Sequence, residues 1–270
     1  MSILDLAERV ADFDHVEPLN ESSLLALRDK VEPRVDIRFE TPDGMVMALA
    51  YAAGDAPVEV MVDPRFRLGG FGTRMVAAAL KDGETQFWAH GDLPGAVKIA
   101  RKSKLVASRT LLILRLEFSG PVAPEVVPDG VTLRAFQPGD EDAIIAVNGR
   151  AFAHHPEQGA MDRADLDRRM SSDWFDPAGL FVATRDDEII GFHWTKIEDS
   201  VGEVYVVGID PAAQGGGLGK ALTARGLRHL QDAGVPAVIL YVEGDNDPAL
   251  AVYRRLGFTD FKKDVLYSTV

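Results

Sequence analysis

A glycine-rich segment in the second half of the chain has the composition of an anion-binding turn. Residues 214–219 (Gln-Gly-Gly-Gly-Leu-Gly), called here the second glycine loop, follow an apolar run at 204–209 and precede a helix-like run at 220–233. A strand, a glycine turn and a helix N-terminus together expose backbone N–H groups, and the helix dipole favours negative charge there. The segment predicts a site for a phosphate-bearing ligand, although an ordinary turn can have the same composition.

Two familiar phosphate loops do not fit this segment. A Walker loop needs Gly-Lys followed by Ser or Thr, whereas Gly219 and Lys220 are followed by Ala221. A dinucleotide fingerprint that starts at Gly215 needs a glycine where Lys220 stands. The pattern that fits is Gln/Arg-x-x-Gly-x-Gly.

The same pattern occurs in the first half of the chain, at residues 67–72, called here the first glycine loop. Its key positions lie 147 residues before their counterparts. The pairs are Arg67 with Gln214, Gly70 with Gly217, and Gly72 with Gly219. Helix-like runs follow both loops. One offset over such a distance predicts two duplicated domains rather than a solenoid.

A second group of spaced residues follows the second glycine loop. It consists of Asn246, Ala249, Tyr253, Gly257 and Phe258. We expect a helix capped by Asp247 with Pro248 in its first turn, and a left-handed end at Gly257. Together, the loop pattern and this group resemble the signature of the GCN5-related N-acetyltransferases (GNAT), a family that binds acetyl-CoA.

The resemblance implies an α/β fold with a mixed sheet, and the repeated loop implies two tandem GNAT domains. We place an N-terminal domain at 1–118, a proline-rich linker at 119–130 and a catalytic C-terminal domain at 131–270. The positions matching acetyl-CoA contacts are Val207, Gly208, Ile209, Gln214, Gly215, Gly216, Gly217, Leu218, Gly219, Lys220 and Asn246, and in the first half Val60, Met61, Val62, Arg67, Gly70 and Gly72. The family's central strand also separates from its neighbour beside the loop.

Acetyl transfer to an amine requires that the ammonium lose a proton and that the departing thiolate gain one. The resemblance implies that Glu203 is the general base, directly or through a water, and that Tyr253 is the general acid. Glu203 is the only carboxylate between Asp199 and Asp210. A solvated glutamate at a strand end and a half-buried core tyrosine are the structural alternatives.

Longer stretches narrow the resemblance to the mycothiol synthase family of actinobacteria. They are residues 151–159, 174–181, 191–196, 202–214 and 240–243. That family acetylates the cysteinyl amine of Cys-GlcN-Ins (desacetylmycothiol). The matching substrate positions are Glu21, Glu157, Lys196, Glu203 and Tyr241. Another small-molecule or aminoglycoside N-acetyltransferase, and a non-catalytic acyl-CoA sensor, are the alternative functions.

Two departures from the family pattern affect these expectations. Gly215 and Gly216 stand where basic residues are expected in the loop, which removes a charge contact to phosphate. Aligning the two loops places Ala56 opposite Glu203 and roughly Ile99 opposite Tyr253. The first half therefore lacks both proton-transfer groups, and we expect it to be catalytically degenerate but able to bind CoA through Arg67.

Periodicity predicts the elements that position these residues. In the second half, strands are expected at 131–135, 180–184, 189–196, 203–209 and 237–242, and helices at 141–153, 163–171, 220–233 and around Tyr253. In the first half, strands are expected at 35–39, 46–51, 58–62, 85–89 and 110–118, and helices at 73–80 and 96–104.

Composition excludes several functions. The formal net charge of −13 argues against nucleic acid or an anionic membrane as partner. The absence of cysteine excludes disulfides and a cysteine nucleophile. No apolar run is long enough for a membrane span or an export signal, so we expect a cytoplasmic protein, which we take to be a monomer. The adjacent His154 and His155 would point in different directions, so no metal site is expected.

Overall fold

The computed structural model describes residues 3–154 and 158–270. Within them the chain forms two compact units. The first consists of Met1–Leu112, Glu243–Asp245 and Lys262–Val270, and the second of Ile113–Val242 and Asn246–Phe261. Because each unit includes a segment from the other half of the sequence, the units differ from the ranges 1–118 and 131–270, and the domain boundary at 119–130 stays a prediction.

The helices and strands follow one another in a mixed order. In the first half they are α1 (Ile3–Asp14), α2 (Glu21–Arg28), β1 (Pro33–Glu40), β2 (Val46–Ala53), β3 (Val58–Val62), α3 (Phe71–Lys81), β4 (Gln86–Ala89), α4 (Pro94–Lys102) and β5 (Val106–Glu117). In the second half they are β6 (Thr132–Ala135), α5 (Glu141–Ala151), α6 (Arg163–Met170), β7 (Leu180–Arg185), β8 (Glu188–Glu198), β9 (Val201–Ile209), α7 (Leu218–Asp232), β10 (Ala237–Glu243), α8 (Asp247–Arg255) and β11 (Thr259–Ser268).

The first unit is built on a mixed sheet with the strand order β1-β2-β3-β4-β11-β5. Helix α3 packs its apolar face, including Met75, against one side of β2. Helix α1 covers the other side, where Leu6 packs with Tyr51. Because both faces of β2 are covered, nearly every residue of that strand is buried, and its sequence reads as an apolar run rather than an alternation.

The second unit contains the strand order β10-β9-β8-β7-β6, in which β9 and β10 are parallel and the remaining neighbours are antiparallel. Residues of α5 and α6, including Ile144 and Leu166, form a core with one face of the sheet. On the opposite face, Leu218 and Leu222 of α7 pack against Phe181. Helix α7 thereby anchors the second glycine loop to the sheet.

The predicted strands and helices are present, with ends shifted by a few residues, and the mixed α/β sheet is confirmed. Three elements were not predicted: α1, α2 and β11. Strand β11 contains the charged run Lys262, Lys263 and Asp264, which by local pattern resembles a surface loop. It becomes a strand because residues 265–268 pair with β4, which is distant in sequence. In the described residues, no helix is both long and apolar enough to cross a bilayer.

Candidate active site

The second glycine loop presents its backbone at the beginning of α7. Residues 214–217 are exposed, and Gly215 and Gly217 have φ of 89° and 84°, which only glycine adopts readily. Gly217 is the residue that precedes the helix, and no described side chain caps it. The N-terminal N–H groups of α7 are therefore without side-chain acceptors in the loop, which is the arrangement of an anion site.

The first glycine loop has the same backbone conformation. The angles agree pair by pair: φ is −51° at both Asp63 and Asp210, ψ is 163° at both Arg67 and Gln214, and φ is 79° at Gly70 and 84° at Gly217. Leu68 adopts φ of 65° where the second loop has Gly215. The repeated sequence pattern is thus a repeated structure.

The first residues of the two loops have different partners. The guanidinium of Arg67 donates to both carboxylate oxygens of Asp14 at 2.6 Å and to the carbonyl of Val62 at 3.1 Å, and it lies 5.2 Å from the ring centroid of Phe13. Gln214, which is exposed, makes a long hydrogen bond of 3.4 Å to the carbonyl of Ile209. The charge of Arg67 is therefore already balanced by a carboxylate of its own unit.

Strand β9 separates from β10 beside the second glycine loop, as expected. Their pairing covers Gly202 to Val204 on β9 and, among the described residues, extends no further toward the loop. On the β8 side, Trp194 faces Val206 whereas Thr195 faces Val204, so Tyr205 is an extra residue, a β-bulge. A bulge bends its strand and redirects side chains, which accounts for the divergence.

Glu203 and Lys196 lie directly opposite one another on β9 and β8. Both side chains therefore lie on the same face of the sheet. Lys196 is 8% exposed, and its ammonium forms an ion pair of 2.9 Å with Glu198. Glu203 is half-buried. The structure thus brings two of the predicted acceptor-site residues together.

Gly208 and Gly219, predicted acetyl-CoA positions, are also required by packing. A Cβ at Gly208 would lie 2.4 Å from Cε1 of Phe192, and one at Gly219 would lie 2.9 Å from Cδ1 of Ile209. The strand and the helix approach each other closely at this point, and glycine permits it. These positions keep the loop close to the end of β9.

Helix α8 carries Tyr253 and is capped differently from the prediction. The cap is Asn246, whose side-chain oxygen accepts from the N–H of Ala249 at 3.2 Å, whereas the predicted cap Asp247 is the first helical residue. Asparagine and aspartate cap equally well, so the sequence alone did not distinguish them. The predicted left-handed end is confirmed, with Gly257 at φ of 97° and Phe258 buried.

Burial favours the protonated form of the Tyr253 phenol. Its half-buried ring lies 5.9 Å from that of Phe258 in an edge arrangement, and desolvation raises the pKa of the phenol to about 12. The phenol therefore keeps its proton even near pH 10, where an ordinary tyrosine titrates.

The remaining predicted residues are distributed over both units. Tyr241 lies on β10 with 48% of its surface exposed. Glu21 is the first residue of α2, in the first unit, and is exposed. Glu157, with the neighbouring His155, lies outside the described residues. In the first unit, Ala56 precedes β3, and Ile99 packs against Gly72, so neither has a proton to transfer.

Sequence reasoning missed two aromatic residues beside Lys196 and an arginine that contacts one of them. The ammonium lies 5.1 Å from the ring centroid of Trp174 and 5.7 Å from that of Tyr205. Arg169 donates a hydrogen bond of 2.7 Å to the hydroxyl of Tyr205. Tyr205 sits within an apolar strand pattern, and nothing in that pattern reveals its contacts with Lys196 and Arg169.

Comparison with known proteins agrees with this geometry. The acetyltransferase (GNAT) family matches residues 150–258. A protein named mycothiol acetyltransferase from Thermomonospora curvata is 48% identical over 99% of this chain and 92% of its own length. One of the same name from Rhodococcus erythropolis is 43% identical over 97% of this chain and 93% of its own.

Solved structures show the same fold. A GCN5-related N-acetyltransferase from Sphaerobacter thermophilus superposes with a TM-score of 0.76 at 24% identity, covering 98% of this chain and 90% of that chain. A tandem GNAT protein from the clavulanic acid biosynthesis pathway gives 0.70 at 19% identity, covering 98% and 93%. With its glycine loop, diverging strands and near full-length relatives, the chain belongs to the mycothiol acetyltransferase family of GNAT N-acetyltransferases.

Proposed function

We propose that this chain transfers the acetyl group of acetyl-CoA to the cysteinyl amine of Cys-GlcN-Ins, which yields mycothiol and CoA. The observation that carries the proposal is the exposed second glycine loop at the start of α7, beside the point where β9 leaves β10. The full-length relatives named mycothiol acetyltransferase support the choice of acceptor.

The second unit has a suitable surface for the pyrophosphate of acetyl-CoA. The backbone N–H groups of residues 214–220 would hold the phosphates. Recognition by the backbone does not require basic side chains, and Gly215 and Gly216 provide none. The edge of β9 at Val206, Val207 and Ile209, past its last pairing with β10, would receive the thioester and the pantetheine amides. Asn246 is carried over from the family resemblance as a further acetyl-CoA position. When bound, acetyl-CoA supplies the acetyl thioester and a thiolate leaving group.

Two side chains of this unit would move protons. Glu203 takes the proton of the acceptor ammonium, directly or through a water, so that the amine nitrogen becomes a nucleophile. Tyr253, whose pKa of about 12 keeps the phenol protonated, donates its proton to the departing sulfur. Both residues belong to the second unit.

The acceptor would be recognised by polar side chains. Lys196 and Glu203 share one face of the β8–β9 pair, and Tyr241 is exposed on β10. We carry over Glu157 and Glu21 from the family resemblance. A sugar–inositol acceptor has many hydroxyl groups, and a mixture of an ammonium, carboxylates and a phenol can both donate to and accept from them.

We further propose that the first unit does not catalyse transfer. Ala56 stands at the position matching Glu203, Ile99 lies roughly at the position matching Tyr253, and the Arg67 guanidinium is paired with Asp14. CoA binding at its strand edge, Val60 to Val62, and at its loop stays part of the proposal. The monomeric state and the cytoplasmic location stay predictions. Sedimentation by analytical ultracentrifugation would test the first, and cell fractionation would test the second.

A thiol-release assay tests the function directly. The full chain is given acetyl-CoA with Cys-GlcN-Ins, simple amines or an aminoglycoside, and the released CoA thiol is measured. We expect kcat/KM for Cys-GlcN-Ins to exceed that for the other amines by a wide margin. Preference for an aminoglycoside would indicate another acetyltransferase, and binding of acetyl-CoA without turnover would indicate a sensor.

Replacing the proposed base separates catalysis from binding. Glu203→Gln should lower kcat about a hundredfold or more while acetyl-CoA affinity, measured by calorimetry, stays nearly unchanged. Glu188→Gln, an exposed substitution on β8, is the matched control and should leave kcat unchanged. Full turnover in Glu203→Gln would refute the assignment of the base.

A further inference from the structure

The ammonium of Lys196 is enclosed by aromatic rings. It lies 5.1 Å from the ring centroid of Trp174 and 5.7 Å from that of Tyr205, and the two rings contact each other edge-on at 4.9 Å. Lys196 is only 8% exposed. A lysine is rarely buried to this degree unless its charge is compensated, and ring faces provide part of that compensation.

Strand β9 supplies Tyr205 to this enclosure. Tyr205 stands two residues after Glu203, so the alternation of the strand places its ring on the face of the sheet that carries Glu203 and Lys196. There it also contacts Trp194 at 5.6 Å. The bulge keeps Val206 on this face as well, opposite Trp194, which a regular strand would not do.

Arg169 of α6 fixes the ring of Tyr205 from the other side. Its guanidinium donates to the phenol oxygen at 2.7 Å and lies 5.5 Å from the ring centroid. Glu198, at 2.9 Å, binds the lysine ammonium from the solvent side, where 59% of its side chain is exposed. The position of the ammonium is thus determined by residues of α6, of β9 and of the segment that carries Trp174.

We propose that Trp174 and Tyr205 are positioning residues, which hold the Lys196 ammonium beside Glu203 and thereby give the enzyme its selectivity for a hydroxyl-rich acceptor. The proposal rests on the proposed function, because it takes Lys196 as a residue that contacts the acceptor. A fixed ammonium can donate to acceptor hydroxyl groups without losing much side-chain freedom, whereas an amine without hydroxyl groups gains nothing from it.

The test compares ring removal with ring retention. Trp174→Leu should raise the KM for Cys-GlcN-Ins about tenfold and leave the KM for acetyl-CoA unchanged, whereas Trp174→Phe should restore most of the acceptor KM. The KM for an acceptor without the sugar, such as cysteine amide, should not change. Tyr205→Phe, which keeps the ring but loses the bond from Arg169, should have a smaller effect in the same direction.

Phe175→Leu is the matched control for folding and packing. Phe175 is adjacent to Trp174 and also packs edge-on against Trp194, at 5.6 Å, but its ring is not among those in contact with the ammonium. This variant should keep the acceptor KM. If it raises the acceptor KM as much as Trp174→Leu does, the effect is one of packing and the proposal is wrong.

A double-mutant cycle with Lys196→Gln decides whether Trp174 acts through the lysine. If it does, Trp174→Leu should change the acceptor KM little once Lys196 is replaced. Fully additive effects would refute the proposal that Trp174 positions Lys196, while leaving the proposed function intact. If Lys196→Gln alone does not alter the acceptor KM, both the role of Lys196 and this proposal fail, but Glu203→Gln still tests the acetyl transfer separately.

Discussion

The surroundings of Tyr253 suit the role of proton donor that we propose for it. Desolvation raises the pKa of its phenol to about 12, so the proton is retained throughout the range in which an amine acceptor can lose its own. The residue type alone permits either a core tyrosine or an acid. The half-buried position on α8 favours the protonated phenol, which can donate a hydrogen bond to the departing sulfur.

A pH profile tests this property of Tyr253. Tyr253→Phe should lower kcat about tenfold to a hundredfold, since a donor to the leaving group is lost. Between pH 7 and about 10 the kcat curves of the variant and the parent should be parallel, because the phenol does not titrate there. A basic limb below pH 10 that the substitution abolishes would contradict the assignment. Tyr267→Phe, which loses a hydroxyl bonded to Asp92 in the first unit, is the control.

At the scale of elements, the two glycine loops have the same backbone conformation and similar free space at their left-handed glycines. Gly70 and Gly217 have φ of 79° and 84°, and a Cβ at either would meet no heavy atom within 4 Å. A substitution to alanine therefore costs both loops a similar strain, about 1 kcal/mol. The pair provides a matched comparison of the two units.

Gly217→Ala should raise the KM for acetyl-CoA severalfold, because the left-handed residue aims the N–H groups of α7 at the pyrophosphate. Gly70→Ala should lose similar stability and leave this KM unchanged, since the first unit is proposed not to catalyse. Steady-state kinetics and urea unfolding of both variants provide the measurement. An equal rise in KM for the two variants would indicate that both loops serve turnover.

The close contact between α7 and β8 depends on Gly226. A Cβ at Gly226 would lie 2.1 Å from Cε1 of His193, which is fully buried and whose Nδ1 donates to the carbonyl of Leu222 at 2.8 Å. Helix propensity alone favours alanine in mid-helix by about 1 kcal/mol. At Gly226 the clash with His193 outweighs this preference, so alanine is expected to destabilise the protein.

Gly226→Ala should therefore lower the free energy of unfolding by about 1 to 3 kcal/mol, as measured in urea. Gly149→Ala on α5 is the matched control, because the nearest heavy atom to its Cβ lies at 4.0 Å. That variant should be neutral or slightly stabilised. A stabilised Gly226→Ala would show that His193 moves aside at little cost.

At the scale of the whole molecule, two buried histidines give stability opposite dependences on pH. In the first unit, burial lowers the pKa of His90, but hydrogen bonds with Asp264 at 2.8 Å and Glu59 at 2.7 Å outweigh it and raise the pKa to about 9. In the second unit, burial lowers the pKa of His193 to about 4, against a smaller opposing effect of its bond to Leu222.

The direction in which each histidine changes the unfolding free energy with pH follows from proton linkage. A raised folded-state pKa means that the contribution of His90 is complete below pH 6.5 and is lost as the pH rises through about 9. A lowered folded-state pKa in a base means that the contribution of His193 is complete above pH 6.5 and is lost as the pH falls toward 4. Each is on the order of 3 kcal/mol.

We therefore expect the unfolding free energy to be greatest near neutral pH, measured by urea titration at several pH values. His90→Gln should flatten the decline between pH 7 and 9 and leave the acid side unchanged. His193→Gln would leave a buried amide, so it serves only to test the acid limb. An alkaline decline that persists in His90→Gln would refute its assignment to this residue.

The sequence predicted the site best where local backbone demands are strict. Gly217, Gly219 and Gly257 predicted their turns because their φ angles or close contacts exclude most other residues. Glu203 and Lys196 were identified separately, through resemblance, and their direct juxtaposition required the register of β8 with β9. Register depends on side chains from both strands and on the bulge, so one segment does not contain it.

By itself, then, the sequence determined two anion-type loops, the helix that carries Tyr253 and the mixed α/β class, because glycine conformation and apolar periodicity act over a few residues. Tertiary structure alone decided that Tyr205 and Trp174 enclose Lys196, and that the charged end of the chain becomes a strand beside β4. These features arise from pairing and burial between segments far apart in the chain, which local pattern does not encode.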